Sequence, residues 1–235
     1  MEPFFVAGKM PPRQPPQNRH TDAMTLPTSP PASPENRLAR IDAARRAVMH
    51  GEGAGRSAVE PWIERSWRRC LDSGQRPEHK VTFDAVSGPL LRRTLESNRD
   101  LVEAARPVLA TLGRAIASTR YFAILTNAAG VVVDVNGPID RTDRRATLIA
   151  RVGVDLSEAS VGTTAIGAAL IEQRPVWLHR GEHFFNDTSV YSCAGAPLFG
   201  PDGQCVGMLD LTGIDAVERP ELRHLVVRSA RSIEN

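Results

Sequence analysis

The stretch WLHRGEHFF, Trp177 to Phe185, holds two histidines and a glutamate at the spacing His179-x-x-Glu182-His183. On a helix, histidines four apart share one face. They can hold a zinc ion while the glutamate acts as base, the inverted zinc-peptidase arrangement. Here Gly181 sits in the middle of the would-be helix, where glycine costs about 1 kcal/mol relative to alanine. The first histidine also closes a strand-like run, PVWLH. The stretch therefore reads as a polar turn feeding a strand, with Phe184 and Phe185 pinning it to the core. Cys193 stands beside Ala194, Gly195 and Ala196, small side chains that leave the room a pocket needs. No base for thiolate chemistry is placed near it by sequence, and no Ser-His-Asp order or carboxylate pair stands at catalytic spacing.

These residues need a scaffold, and the hydrophobic pattern supplies one. Residues 35–50 and 58–72 read as helices, the first stopped by GEGAG. On the second, Ile63, Trp67 and Cys70 form a stripe expected to pack on the domain or on a second subunit. Arg65, Arg68 and Arg69 read as a solvated basic face. Residues 88–119 are helical, with a kink or break expected at Pro107. YFAILTN (121–127), a turn at Asn127–Gly130, and VVVDVNG (131–137) read as a β-hairpin. Residues 142–151 look helical, and Ser160–Thr164 supplies capping hydroxyls for a short apolar helix at 165–173. The segment Gly162–Gly167 has two readings. Its helix N-terminus can face an anion, or Gly167 can let the helix pack close to the sheet. Strands follow at 175–179, 189–199 and 204–213, then an amphipathic helix at 221–234. This predicts an α+β domain on a central antiparallel sheet of five or six strands flanked by helices on one face, with a helical N-terminal extension.

Composition bounds the rest. The 235 residues carry 41% hydrophobic and 24% charged side chains, with Lys+Arg 29 against Asp+Glu 27. Such a balance gives no reason to expect direct nucleic-acid binding. Residues 1–34 hold nine of the 18 prolines and are expected to be a disordered tail. Cys70, Cys193 and Cys205 form no disulfide framework, which fits a reduced, cytoplasmic setting. No apolar run is long enough to span a membrane. The expected organisation is a tail (1–34), a helical segment (35–87) and a sensor domain with its flanking helices (88–235).

The order GVDLSEASVGTTAIGAAL (153–170), RPVWLHRGEHF (174–184), SCAGAPLFGPDGQCVGMLDLTG (192–213) resembles the GAF sensor region of sigma-54-dependent activators of the acetoin and glycerol-metabolism regulator type. Ile63–Cys70 followed by Gly74 resembles the helical segment that opens those regulators. That family usually has Asn where this chain has Thr164, and an aromatic where it has Leu156. The phosphate loop and helix-turn-helix of the family's later domains do not occur in these residues, so the resemblance implies sensing rather than ATP hydrolysis or promoter binding.

The reading is a GAF-like, non-enzymatic sensor of a small metabolite. It would need no cofactor, work as a homodimer with long helices 88–119 and 221–234 pairing across the two-fold, and signal to a full-length regulator. A ligand-free dimerisation or docking module is the alternative, and a metal- or thiol-dependent enzyme the third reading. The pocket residues expected from strand positions are Phe122, Leu125, Trp177, His183, Tyr191 and Cys193.

Overall fold

The computed structural model describes residues 34–51 and 58–235. The expected tail, up to residue 33, and most of GEGAG lie outside the described residues. Helices α1 (Pro34–His50), α2 (Pro61–Asp72), α3 (Gly88–Ser97) and α4 (Arg99–Ala115) come first. Next are β1 (Tyr121–Asn127), β2 (Val132–Asn136), α5 (Arg144–Ile149), α6 (Glu158–Val161) and α7 (Ala165–Glu172). Strands β3 (Val176–His179), β4 (Tyr191–Phe199) and β5 (Cys205–Ile214), then α8 (Leu222–Glu234), complete the order.

The strands form one antiparallel sheet in the order β2-β1-β5-β4-β3, with β5 at its centre. Asn127 sets the first hairpin, because its Oδ1 accepts from the N–H groups of Ala129 and Val131 at 3.0 and 2.9 Å. Helices cover both faces of the sheet, not one. Strands β1, β3, β4 and β5 are buried on both sides over most of their length, so each needs an apolar cover above and below. On one face, Leu109, Leu112, Leu222, Val226 and Ile233 of α4 and α8 pack on Ala123, Leu125, Ala194 and Leu211. The two long helices thus lie beside each other within a single chain. On the other face lie α5 to α7, with α1 and α2 at the β3 end.

The 88–119 stretch breaks at Asn98 and not at Pro107. The Asn98 backbone N–H and its side-chain amide both bond the Thr94 carbonyl, at 3.1 and 2.7 Å, which ends α3. Pro107 stays inside α4 on its exposed side, where water can serve the carbonyl freed by the missing N–H. The arginines of α2 are also not simply solvated. Arg69 forks onto Glu158 at 2.7 and 2.9 Å, and Arg65 reaches Glu172 at 2.5 Å. Ser66 bonds Glu158 at 2.5 Å and Thr163 at 2.6 Å. Ile63, Trp67 and Cys70 are buried in the domain's own core, and the Trp67 Nε1–H donates to the Glu182 carbonyl at 2.9 Å. Helix α2 therefore clamps the α6–α7 segment onto the sheet.

Close approach in that segment rests on small residues. Thr164 caps α7 by accepting from the Gly167 N–H at 3.2 Å. A Cβ on Gly167 would lie 2.8 Å from the backbone nitrogen of Glu158. In an exposed helix, Gly→Ala gains about 1 kcal/mol, whereas overpacking costs about 1–3 kcal/mol. Because the clash is with backbone, the Gly167→Ala variant is expected to lose about 1–2 kcal/mol in urea denaturation. A stabilised variant would show that α6 and α7 are not in contact there.

Candidate ligand-binding site

Between the sheet and the α5–α7 layer lies a small cavity of about 10 Å³, room for about one water. Strand alternation builds its floor. Tyr191 and Cys193 come from β4, and Asp210 and Thr212 come from β5, with Thr212 opposite Cys193 and Asp210 opposite Gly195. The start of α7 (Thr164 to Ile166), Ile149 and Leu156 form the roof, with His183, Thr188 and Phe83 as walls. The His183 loop is held from outside. Arg45 of α1 donates to the carbonyls of His183 and Phe184 and to Asn186 Oδ1 at 3.0 Å.

Two buried polar atoms at this cavity have no partner: His183 Nε2 and Asp210 Oδ1. His183 Nδ1 lies 3.0 Å from the Arg180 carbonyl, which can only accept, so Nδ1 carries the proton and Nε2 presents a lone pair. Burial holds the imidazole down to about 4, so it is neutral at pH 7. The other Asp210 oxygen accepts from the Thr212 hydroxyl, which itself lies 3.6 Å from the Cys193 sulfur. Burial pushes Asp210 up to about 7, against the opposing Thr212 hydrogen bond. Burial likewise raises the Cys193 thiol and the Tyr191 phenol, so both stay protonated. The cavity therefore offers an imidazole acceptor and a carboxyl that accepts when ionised and donates when protonated. A small molecule with a hydroxyl group would satisfy both, donating to His183 Nε2 and accepting from the protonated carboxyl.

Of the residues expected from sequence, His183, Tyr191 and Cys193 meet at the cavity. Phe122 shares that face of the sheet but lines a separate surface groove of about 300 Å³ with Asp143 and Ile214. Leu125 and Trp177 lie on the opposite face, under α4 and α8. Positions 122 and 125 differ by an odd number, so one strand sends them to opposite sides. Trp177 pairs with Ala194, and its neighbour Leu178 pairs with Cys193, which places Leu178 on the cavity side. Asp210 and Thr212 are polar groups of the cavity that the sequence reading did not single out, while Thr164, named there as a cap and as a departure from the family's Asn, also lines it. The signal was a charged residue at an alternate position of an apolar run, MLDLTG. Phe83 and Thr188 come from irregular segments that carry no periodicity.

The H-x-x-E-H residues diverge. Arg180–Glu182 is one 3-10 turn. His179 stacks on Trp177 on the α8 side, and its Nδ1 lies 2.7 Å from Ser192 Oγ. Glu182 accepts from the His179 N–H at 2.7 Å and from Arg37 at 3.1 Å. Among the described residues no group of three or more His, Cys, Asp or Glu is placed to hold a metal.

A family model described as the MimR N-terminal domain matches residues 41–235. The chain belongs to that family. Members of similar sequence include the acetoin catabolism regulatory protein of Cupriavidus necator, 31% identical over 76% of this chain. The propane 2-monooxygenase operon transcriptional activator MimR of Mycolicibacterium goodii is 29% identical over 72% of it. The chain spans 27% and 28% of those two relatives, in their N-terminal parts. In three dimensions it is similar to the E. coli DhaR N-terminal region, solved in complex with DhaL, with a TM-score of 0.70 and 19% identity over 75% of this chain and 60% of that one. The MimR N-terminal domain fold is thus α+β and GAF-like, as the motif order implied. The chain is a regulatory domain of the type found in transcriptional activators.

The two buried groups give opposite pH dependences. The Asp210 pKa rises from 3.8 to about 7 on folding, so its contribution is intact below pH 4 and is lost as pH climbs to 7. The His183 pKa falls from 6.5 to about 4, so stability is intact above pH 6.5 and is lost as pH drops to 4. Asp210→Asn removes only the first. Its stability relative to the parent is expected to gain roughly 3 kcal/mol between pH 4 and pH 7, read by urea denaturation. A difference that does not change with pH would contradict the buried carboxyl.

Proposed function

We propose that this chain is the small-molecule-sensing input domain of a sigma-54-dependent transcriptional activator, and that its ligand enters the cavity of His183 and Asp210. The observation that carries the reading is the pair of buried, unpartnered polar atoms facing one small cavity. An unpartnered buried group costs about 1–3 kcal/mol, a cost that a ligand able to hydrogen-bond would relieve. The expected class is a small uncharged alcohol or hydroxyketone, because Nε2 of His183 needs a donor and a second anion would face Asp210. Acetoin and propane, in the relatives' names, are also small and uncharged. The other partners in this reading are a second copy of the chain and the rest of a full-length regulator, acting in the cytoplasm.

A cavity of about 10 Å³ holds no such molecule as it stands, so binding must lift the roof. The roof has a path to α8. Arg145 of α5 donates to Asp215 at 2.7 Å, in the link between β5 and α8. That exposed pair is worth at most about 1 kcal/mol, weak enough to exchange when the roof moves. Ligand binding would then select an open state with α8 repositioned.

One observation favours a second reading. The cavity is nearly filled by the protein's own side chains, as a ligand-free docking or dimerisation module would have it. Thermal unfolding of the purified chain with acetoin or 2-propanol, with acetone as acceptor-only control and acetate as charged control, separates the two. Sensing predicts a dose-dependent rise of several °C for at least one uncharged compound, equivalent to about 2.7 kcal/mol at a hundredfold excess over Kd. The His183→Leu variant should fold and lose that rise. No rise with any compound up to 10 mM would favour the docking module.

A further inference from the structure

A second feature lies on the other side of the sheet edge, away from the cavity. Trp177 is 9% exposed, and its buried Nε1–H has no acceptor. An indole N–H can only donate, so this group is complementary to an acceptor that the protein does not supply. The ring lines a cleft of about 180 Å³ between β3, α1, the start of α2 and the first turn of α8. For scale, an engineered cavity of about 150 Å³ takes benzene.

The charges around the cleft are three arginines against two glutamates. Arg37 is occupied by Glu182 at 3.1 Å and by Glu218. Arg174 reaches Glu60 at 3.4 Å and lies over the Trp62 ring at 5.9 Å. With Glu218 counted, three glutamates balance the three arginines, and Arg223 is the arginine that makes no ion pair among the described residues. It stands in the first turn of α8, whose N-terminal partial positive charge has the same sign. The remaining wall is apolar: Trp62, Pro175, Val176 and Pro220.

We propose that this cleft is a second ligand site, for a small monocarboxylate with an apolar body. The carboxylate would accept from the Trp177 Nε1–H and pair with Arg223, while the body rests on Trp62 and the two prolines. The site shares no lining residue with the His183–Asp210 cavity, and it touches the output helix directly through Pro220 and Arg223.

Titration calorimetry of the full chain at constant ionic strength tests the proposal, with sodium benzoate and sodium butyrate as probes and benzamide and 1-butanol as uncharged counterparts. Saturable binding of a carboxylate is expected, at least tenfold tighter than its uncharged counterpart. Arg223→Gln, at an exposed position, and Trp177→Phe, which keeps a ring and removes the donor, should each weaken it about tenfold. His183→Leu should leave it unchanged, which separates this site from the cavity. Absence of saturation, equal binding of benzamide, or unaltered binding by folded Trp177→Phe would overturn the proposal.

Discussion

A carboxyl group stands in the middle of the central strand of this sheet, and its surroundings are arranged around that fact. Asp210 is fully buried between β1 and β4, with one oxygen satisfied by Thr212 and the other unpartnered. Ionised, it would have to be desolvated without a cation. Burial therefore pushes its pKa up to about 7, so near neutral pH it is divided between its protonated and ionised forms. Apolar packing on both sides of β5 must outweigh this cost. A strand that needed only to pack would carry valine or leucine at that position. In the sensing proposal, the aspartate is there for what it can offer to a guest.

The layer above the carboxyl is held by polar clamps and not by apolar mass alone. Glu158 gathers Arg69 and Ser66 of α2, and Thr163 bonds the same Ser66. Arg45 and Trp67 grip backbone carbonyls around His183 from outside. Hydrogen bonds of this kind contribute roughly 1 kcal/mol each, and more where a charge is involved. The sheet thus separates a layer fastened partly by polar clamps from one held by the α4–α8 apolar seam, with Arg145 and Asp215 linking the first to the segment that leads into α8.

Much of this was legible in the sequence, and the exceptions have physical causes. All five strands, the Thr164 cap and the tight contact at Gly167 follow from alternation, turn chemistry and capping. The helix break at Asn98 did not, because a proline nine residues later is the stronger local signal while an exposed proline is tolerated. Strand parity would have separated Leu125 and Trp177 from the cavity group had it been applied across neighbouring strands. Asp210 was legible as a charged residue inside MLDLTG, but the apolar face of that strand drew the attention. Phe83 and Thr188 were not legible, since tertiary contact alone brings them to the cavity.

The central claim is that the carboxyl of Asp210 is buried, poised and answerable to a guest. Carbon-detected NMR of the Asp210 side-chain carboxyl, titrated from pH 3 to pH 9, reads this directly. The account predicts a midpoint near 7 in the free protein and a displaced resonance when a small uncharged compound that stabilises the chain is added. A midpoint near 4 and a resonance indifferent to every such compound would contradict it.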